Sequence, residues 1–389
     1  MKENKTFPVC AQFLDTFYPV VDGVVKTVDN YCRIINKESY CCAVVPKNDS
    51  LYEDNFPYDV IRAHSVRFPS FEYALPFAAV SKEIKAKLDE KDFKLFHAHS
   101  PFFLGHYALE EAKKRNIKII TTFHSKYYDD VLKITNAPPI ADFVVKYIVS
   151  FYNKVDSVWT VSESTAEVLR SYGYKGDIFI AENGTNFTFP KNANELKKEA
   201  KAKYNLVEGE PTLLFIGHQI WQKNLKLVLD TAKELSNRKY KFKMLIVGSG
   251  YAKNQILSYA KKLDLLDKEV RFLGQIDEQD EIKALGLASD LFFFPSIYDN
   301  APLVVREAAA MGLPSLLMKD STAAEPIIDG ENGFLCIDDP VATADIIEKI
   351  FSQKDKLKEV GQKAKETLGK SWDEIMPKIR DKYLEIIES

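Results

Sequence analysis

The sequence has no apolar run long enough to span a bilayer. Its start, Met1-Lys-Glu-Asn-Lys-Thr6, leads into an apolar stretch broken by Gln12 and Asp15. A spanning helix needs about 20 consecutive apolar residues and a secretory leader an uninterrupted apolar centre, so neither is expected, and a cytoplasmic protein is. Cysteine is scarce, five in 389 residues (Cys10, Cys32, Cys41, Cys42, Cys336), odd in number and without a C-x-x-C pair. Reduced thiols in the core are therefore expected rather than a disulfide framework. No basic block exists: Lys+Arg number 53 against 56 Asp+Glu, a net charge of −3, balanced in both halves of the chain. That argues against a nucleic-acid partner, whose phosphates require a basic face. Three phosphate-binding signatures are missing as well. Ile246-Val-Gly-Ser-Gly250 lacks the third glycine of a dinucleotide fingerprint, no Walker lysine motif is present, and no Asp-x-Asp pair could hold a metal–diphosphate. No metal site is expected.

What remains is a soluble α/β chain too long for one core, with two domains the natural arrangement. Strand-like runs alternate with helical patterns throughout. In the first half they are Phe7–Phe13, Cys41–Val45, Leu95–His97, Ile117–Phe123, Ser157–Val161 and Asp177–Ile180. The second half offers Thr212–Ile216, Phe242–Val247, Val270–Leu273, Leu291–Phe294, Ser315–Met318 and Gly333–Cys336. Such short apolar runs read as buried parallel strands. Apolar residues at Val24, Val28, Tyr31, Cys32 and Ile35 predict a helix after the first strand. Pro190-Lys-Asn-Ala-Asn194 and the charged residues after it read as a linker. The final segment, Ser371–Ile387, keeps an apolar stripe but contains Pro377, so a kinked or broken helix is expected.

The most informative segment runs from Ser296 to Pro314. Asp299 and Glu307 stand eight residues apart across the start of a helix, between two strand-like runs, which aims both acids at the carboxyl end of a parallel sheet, where ligands bind. The helix should open near Pro302, and its free N–H groups suit a diphosphate.

Eight strings in order, "DTFYPVVDGVVKTV" (Asp15–Val28), "HAHSPFFLG" (His97–Gly105), "TTFHS" (Thr121–Ser125), "TVSES" (Thr160–Ser164), "ENGTN" (Glu182–Asn186), "FIGHQIWQKNL" (Phe215–Leu225), "IVGSG" and the Asp299–Glu307 segment, resemble those of retaining GT-B glycosyltransferases of family 4. The resemblance implies two Rossmann-like αβα domains facing a central cleft. An acceptor-side domain would span 1–190, with a last helix at 371–389 crossing back to it, and a nucleotide-sugar domain would span 205–370. It also implies roles. His124, Lys223 and Asp299 would be catalytic, the first hydrogen-bonding the sugar as a neutral imidazole. Gly23, His218, Lys223, Asn300, Ala301, Pro302, Leu303 and Glu307 would bind the donor. Three positions depart from the family pattern: Asp22 replaces Asn, His218 replaces an Arg, and Asp299 replaces Glu. His97 is expected to pack or fix a loop, and His99 to be a cleft residue.

The implied reaction moves a hexose from a UDP-linked sugar, with no cofactor beyond that co-substrate, to an acceptor hydroxyl with retention. The acceptor side resembles the branch that glycosylates diacylglycerol. The aromatics of Phe68–Phe77 and the cluster Lys113-Lys-Arg115 could dock peripherally on the inner face of the cell membrane. A soluble glycan acceptor, a sugar-nucleotide epimerase and a catalytically silent nucleotide-sugar-binding protein stay open.

Overall fold

The computed structural model describes residues 6–47, 52–67, 74–76 and 82–389, and divides into two compact units, Met1–Asn183 with Trp372–Ser389, and Gly184–Ser371. The first unit holds strands β1 (Cys10–Phe13), β2 (Cys41–Pro46), β3 (Asp59–Ala63), β4 (Ser65–Arg67), β5 (Ala74–Pro76), β6 (Leu95–Ala98), β7 (Lys118–Phe123), β8 (Ser157–Thr160) and β9 (Ile178–Ile180). Seven form a parallel sheet of order β3-β2-β1-β6-β7-β8-β9, and β4 and β5 pair antiparallel beside it. Its helices are α1 (Gly23–Ile35), α2 (Lys82–Asp89), α3 (Phe103–Arg115), α4 (Tyr127–Thr135), α5 (Pro138–Tyr152) and α6 (Glu163–Ser171).

The second unit holds a six-stranded parallel sheet ordered β12-β11-β10-β13-β14-β15, from β10 (Thr212–Ile216), β11 (Lys243–Val247), β12 (Val270–Gly274), β13 (Leu291–Phe294), β14 (Ser315–Met318) and β15 (Phe334–Cys336). Around it lie α7 (Ala193–Lys203), α8 (Leu225–Asn237), α9 (Lys253–Lys262), α10 (Gln279–Ala288), α11 (Leu303–Ala310), α12 (Pro340–Ser352) and α13 (Lys354–Thr367). The chain ends in α14 (Trp372–Glu388), which belongs to the first unit. A parallel sheet covered on both faces needs apolar side chains pointing both ways, and β13 shows it: Phe292, Phe293 and Phe294 are all buried, with Phe292 stacked on Phe294 at 5.6 Å between centroids.

Several expectations change. The segment read as a linker is largely α7, a run rich in Ala, Glu and Lys whose helix propensity outweighs the flanking Pro and Asn; Ala200 is buried in the second core, and Lys203 pairs with Glu281 of α10. The last helix runs unbroken through Pro377. That proline sits in the second turn and is exposed, so the ring costs only the bond to the Asp373 carbonyl at the helix's open end. Val25, not Val24, joins the buried face of α1. All five cysteines are buried free thiols.

The expected docking surface is only partly described. Of Phe68–Phe77, Phe68, Phe71, Tyr73 and Phe77 lie outside the described residues. Lys114 pairs with Glu111, and Arg115 with Glu111 and Asp89, so these bases close the end of α3. Among the described residues no helix is long and apolar enough to cross a membrane.

Candidate active site

In each sheet the strand order reverses once, between β1 and β6 and between β10 and β13, and loops leaving the carboxyl ends there diverge and leave room for a ligand. In the second unit Lys223 comes from the loop after β10 and Asp299 from the loop after β13, and the structure joins them: Lys223 Nζ donates to Asp299 Oδ1. The lysine is only 9% exposed, at the end of a 3₁₀ turn (Trp221–Lys223) that stops where Asn224 turns left-handed (φ 56°) and caps α8. Its ammonium lies 5.8 Å from the ring centroids of both Phe294 and Tyr298. The other Asp299 oxygen accepts from Ser296 Oγ at 2.6 Å, and the Asp299 carbonyl accepts from Thr322 Oγ1 at 2.7 Å. Both ends of the aspartate are therefore held.

Asn300 and Ala301 follow, Ala301 at φ 40°, and Pro302 is the cap residue rather than the first helical one, so α11 opens at Leu303. The first N–H groups of α11 have no acceptor within the helix. Glu307 lies on its second turn, half-buried, and its neighbour Arg306 is buried. His218, in the position of the family's Arg, is exposed. The two glycines of "IVGSG" allow a close approach between loops: a Cβ on Gly248 (φ 127°) would stand 2.0 Å from the Gly217 carbonyl oxygen, and one on Gly250 2.6 Å from that of Gln219.

In the first unit, Asp15, His99 and His124 stand just past the ends of β1, β6 and β7. His124 Nε2 lies 3.1 Å from His99 Nδ1, and His99 Nε2 lies 2.9 Å from Gln12 Oε1. His97, one strand position before the end of β6, is wholly buried between Tyr383 of α14 (2.7 Å) and Thr122 (2.7 Å), the packing role expected of it. Desolvation lowers His124 to about 3 and holds His97 and His99 well below the ordinary imidazole value, so all three are neutral at pH 7. Asp22 is occupied as the cap of α1, accepting from the Val24 and Val25 N–H groups at 2.8 Å each. A Cβ on Gly23, the next residue, would meet nothing within 4 Å. Gly23→Ala should therefore leave the melting temperature unchanged or slightly raised while lowering turnover if a donor approaches this backbone; full turnover with an intact fold would make Gly23 an ordinary helix-start residue.

Asp15, the first residue of the string Asp15–Val28, has a structural place of its own. Its carboxyl joins Ser100 Oγ and accepts from the Leu104 N–H at 2.9 Å, so it tethers the start of α3. Desolvation nevertheless raises it from 3.8 to about 6. A raised folded-state value means folding takes up a proton, so the stability this group adds is complete below about 3.8 and is lost as pH rises through about 6. Asp15→Asn, which cannot ionise, should gain stability relative to wild type as pH climbs from about 5 to about 8. Thermal melts across that range test it, and a pH-independent gap would refute it.

Sequence reasoning missed Gln12, Tyr383, Ser296 and Gln219. Gln12 and Gln219 carried a signal: each is a long polar side chain beside or within an apolar strand, and each is 0% exposed.

Two units, each with a parallel sheet wrapped by helices, define the α/β GT-B fold, and the chain is a glycosyltransferase of that type. A model described as "Glycosyltransferase Family 4" matches residues 21–189, and one described as "Glycosyl transferases group 1" matches residues 197–367. The chain belongs to the family 4 glycosyltransferases and resembles their diacylglycerol glucosyltransferase branch. It is 28% identical to the alpha-monoglucosyldiacylglycerol synthase of Streptococcus pneumoniae over 78% of this chain and 69% of the relative. Among solved structures, the sucrose-phosphate synthase of Thermosynechococcus elongatus superposes with a TM-score of 0.79 at 19% identity, covering 98% of this chain and 99% of that one. Anabaena HepE in complex with UDP-glucose superposes with a TM-score of 0.72 at 14% identity, covering 97% and 99%.

Proposed function

We propose that this chain transfers a hexose from a UDP-linked sugar to a hydroxyl of a diacylglycerol-type lipid, with retention and without a metal. The observation that carries the donor half is the Lys223–Asp299 pair at the sheet's reversal point. A buried ammonium near the opening of α11 offers a diphosphate a cation and a helix N-terminus together. Asp299 then turns to the hydroxyls of the transferred sugar and Glu307 to the ribose, and the family resemblance gives His124 and Gly23 a part in binding the sugar. The leaving phosphate oxygen takes the acceptor's proton, so no protein base is required. HepE, which shares the fold, was solved in complex with UDP-glucose.

The lipid half rests on the named S. pneumoniae relative and on α4–α5. Helix α5 buries Ala141, Val145 and Ile148, yet on its opposite stripe leaves Ile140, Phe143 (70% exposed) and Tyr147 in solvent, with Ile134 at the end of α4. Exposed lysines, Lys133 and Lys146, flank them. An apolar stripe edged by cations suits an anionic bilayer surface, and it adds a second candidate for the membrane-facing element. UDP release from a panel of UDP-hexoses, with and without vesicles containing diacylglycerol and anionic lipid, tests the reading. Release that requires vesicles supports it. Vesicle-independent transfer to a soluble glycan, or conversion of the donor without acceptor, refutes the lipid half.

A further inference from the structure

The loop that carries Lys223 is fastened to the loop after β11, and Gln219 stands at the fastening. Strand β11 shifts its register against β12 between Ile246 and Val247, and Gly248 (φ 127°) leaves the sheet with its N–H donating to the Gly274 carbonyl at 2.7 Å. Such a bulge re-aims the chain, here against the loop after β10. The Gly217 N–H donates to the Val247 carbonyl at 3.1 Å and the Gln219 N–H to that of Ser249 at 2.9 Å, while the Gln219 carbonyl accepts from the Ala252 N–H at 3.2 Å. The Gln219 side chain adds a further tie, from Nε2 to the Gly248 carbonyl at 2.8 Å. A carbonyl cannot donate, so the amide end facing it is the NH₂ and Oε1 faces away. That oxygen is buried without a partner among the described residues. Two more bonds carry the seam toward solvent: Trp221 Nε1 donates to Gln255 Oε1 at 2.8 Å, and Tyr251 Oη to Gln222 Oε1 at 2.7 Å. Lys223 follows directly.

We propose that Gln219 is a positioning residue, which holds the turn Trp221–Lys223 against the segment 248–255 and so fixes the Lys223 ammonium for the diphosphate. The diphosphate part rests on the donor reading above; the fixing of Lys223 does not. An unmatched buried acceptor costs stability, and an apolar side chain of the same length would remove it together with the bond to Gly248. Glutamine at this position therefore does little for the fold that methionine could not do. What methionine cannot do is grip the Gly248 carbonyl. Lys223 lies four residues beyond Gln219, at the end of a short 3₁₀ turn, so a slip of the anchor passes to the ammonium. A misplacement of about 1 Å can cost about a hundredfold in rate.

Measurements on the full chain with Gln219→Met test this. Acetylation by an N-hydroxysuccinimide ester, read by mass spectrometry without ligand, should find Lys223 protected in wild type and modified severalfold faster in the variant, while exposed Lys358 of α13 reacts equally in both. Equal protection of Lys223 in the two proteins would overturn the proposal whatever the enzyme's substrate. The melting temperature should stay within about 4 °C of wild type, since a bond and an unsatisfied acceptor go together, yet kcat with UDP-glucose should fall by roughly ten- to a hundred-fold. In a Lys223→Ala background the same substitution should change kcat by less than about twofold, because its effect runs through that ammonium. A structural Gln219 would lower kcat by the same factor in both backgrounds, and that result overturns the positioning role. Should Gln219→Met not fold, Gln219→Leu gives the same readouts, and failure of both to fold would make the residue structural. Wild type that turns over no UDP-hexose would overturn the donor reading and the diphosphate part with it, while the acetylation contrast would still establish what holds Lys223.

Discussion

Lys223→Ala is expected to lower turnover by roughly two to three orders of magnitude, the largest single effect in this protein. The leaving diphosphate gains charge as the glycosidic bond breaks, and a positioned ammonium in a site of low exposure stabilises that charge without reorganising solvent. Lys223 meets those conditions: it is nearly buried, fixed by the turn before α8, and held at the reversal point by Asp299. Removing it leaves Asp299 half-buried without that cation, so the melting temperature should fall as well. Stability and activity are separated by Lys223→Arg, which keeps the cation and should recover much of the stability but only part of the turnover, because a planar guanidinium does not place its charge where an ammonium does. Near-normal turnover of a folded Lys223→Ala protein would remove this residue from the chemistry.

Much of this arrangement was legible in the chain, and the rest was hidden for identifiable reasons. Runs such as Leu291–Phe294 and Thr212–Ile216 emerged as strands at the expected bounds, because a strand buried on both faces writes an uninterrupted apolar run. Strand β3 was not foreseen. It is an edge strand in which Asp59 is exposed and Ile61 buried, and five residues of mixed polarity do not separate a strand from a loop. Lys223 and Asp299 were nominated singly, but their pairing joins positions 76 residues apart, and only the order of β10 and β13 in the sheet brings them together. Gln12 shows the same limit more sharply, since its partners His99 and Tyr383 lie 87 and 371 residues away. Local pattern flagged Gln12 as an interruption, yet nothing local says what a buried amide will bond.

The second large effect concerns the acid of that pair. Asp299→Asn should tighten UDP binding while lowering turnover by roughly ten- to a hundred-fold, a split that neither a damaged fold nor a misplaced site would produce. In the unloaded protein the carboxylate occupies the ammonium that the diphosphate needs, and it would repel an incoming diphosphate at short range. Neutralising it leaves Lys223 charged and Ser296 Oγ still within reach of a carboxamide, so the nucleotide meets a cation without a competitor. The transferred sugar, by contrast, loses an ionised acceptor for its hydroxyls, and a hydrogen bond to a charged group is worth about twice one to a neutral amide. Binding of UDP, which has no hexose, should therefore improve as kcat for UDP-glucose falls, and calorimetric titration beside steady-state kinetics reads both. The melting temperature without ligand should drop, because the nearly buried ammonium loses its counter-charge, and UDP should restore more of it than in wild type. If UDP binding weakens along with turnover, Asp299 supports the nucleotide site itself rather than exchanging Lys223 between the resting carboxylate and the bound diphosphate.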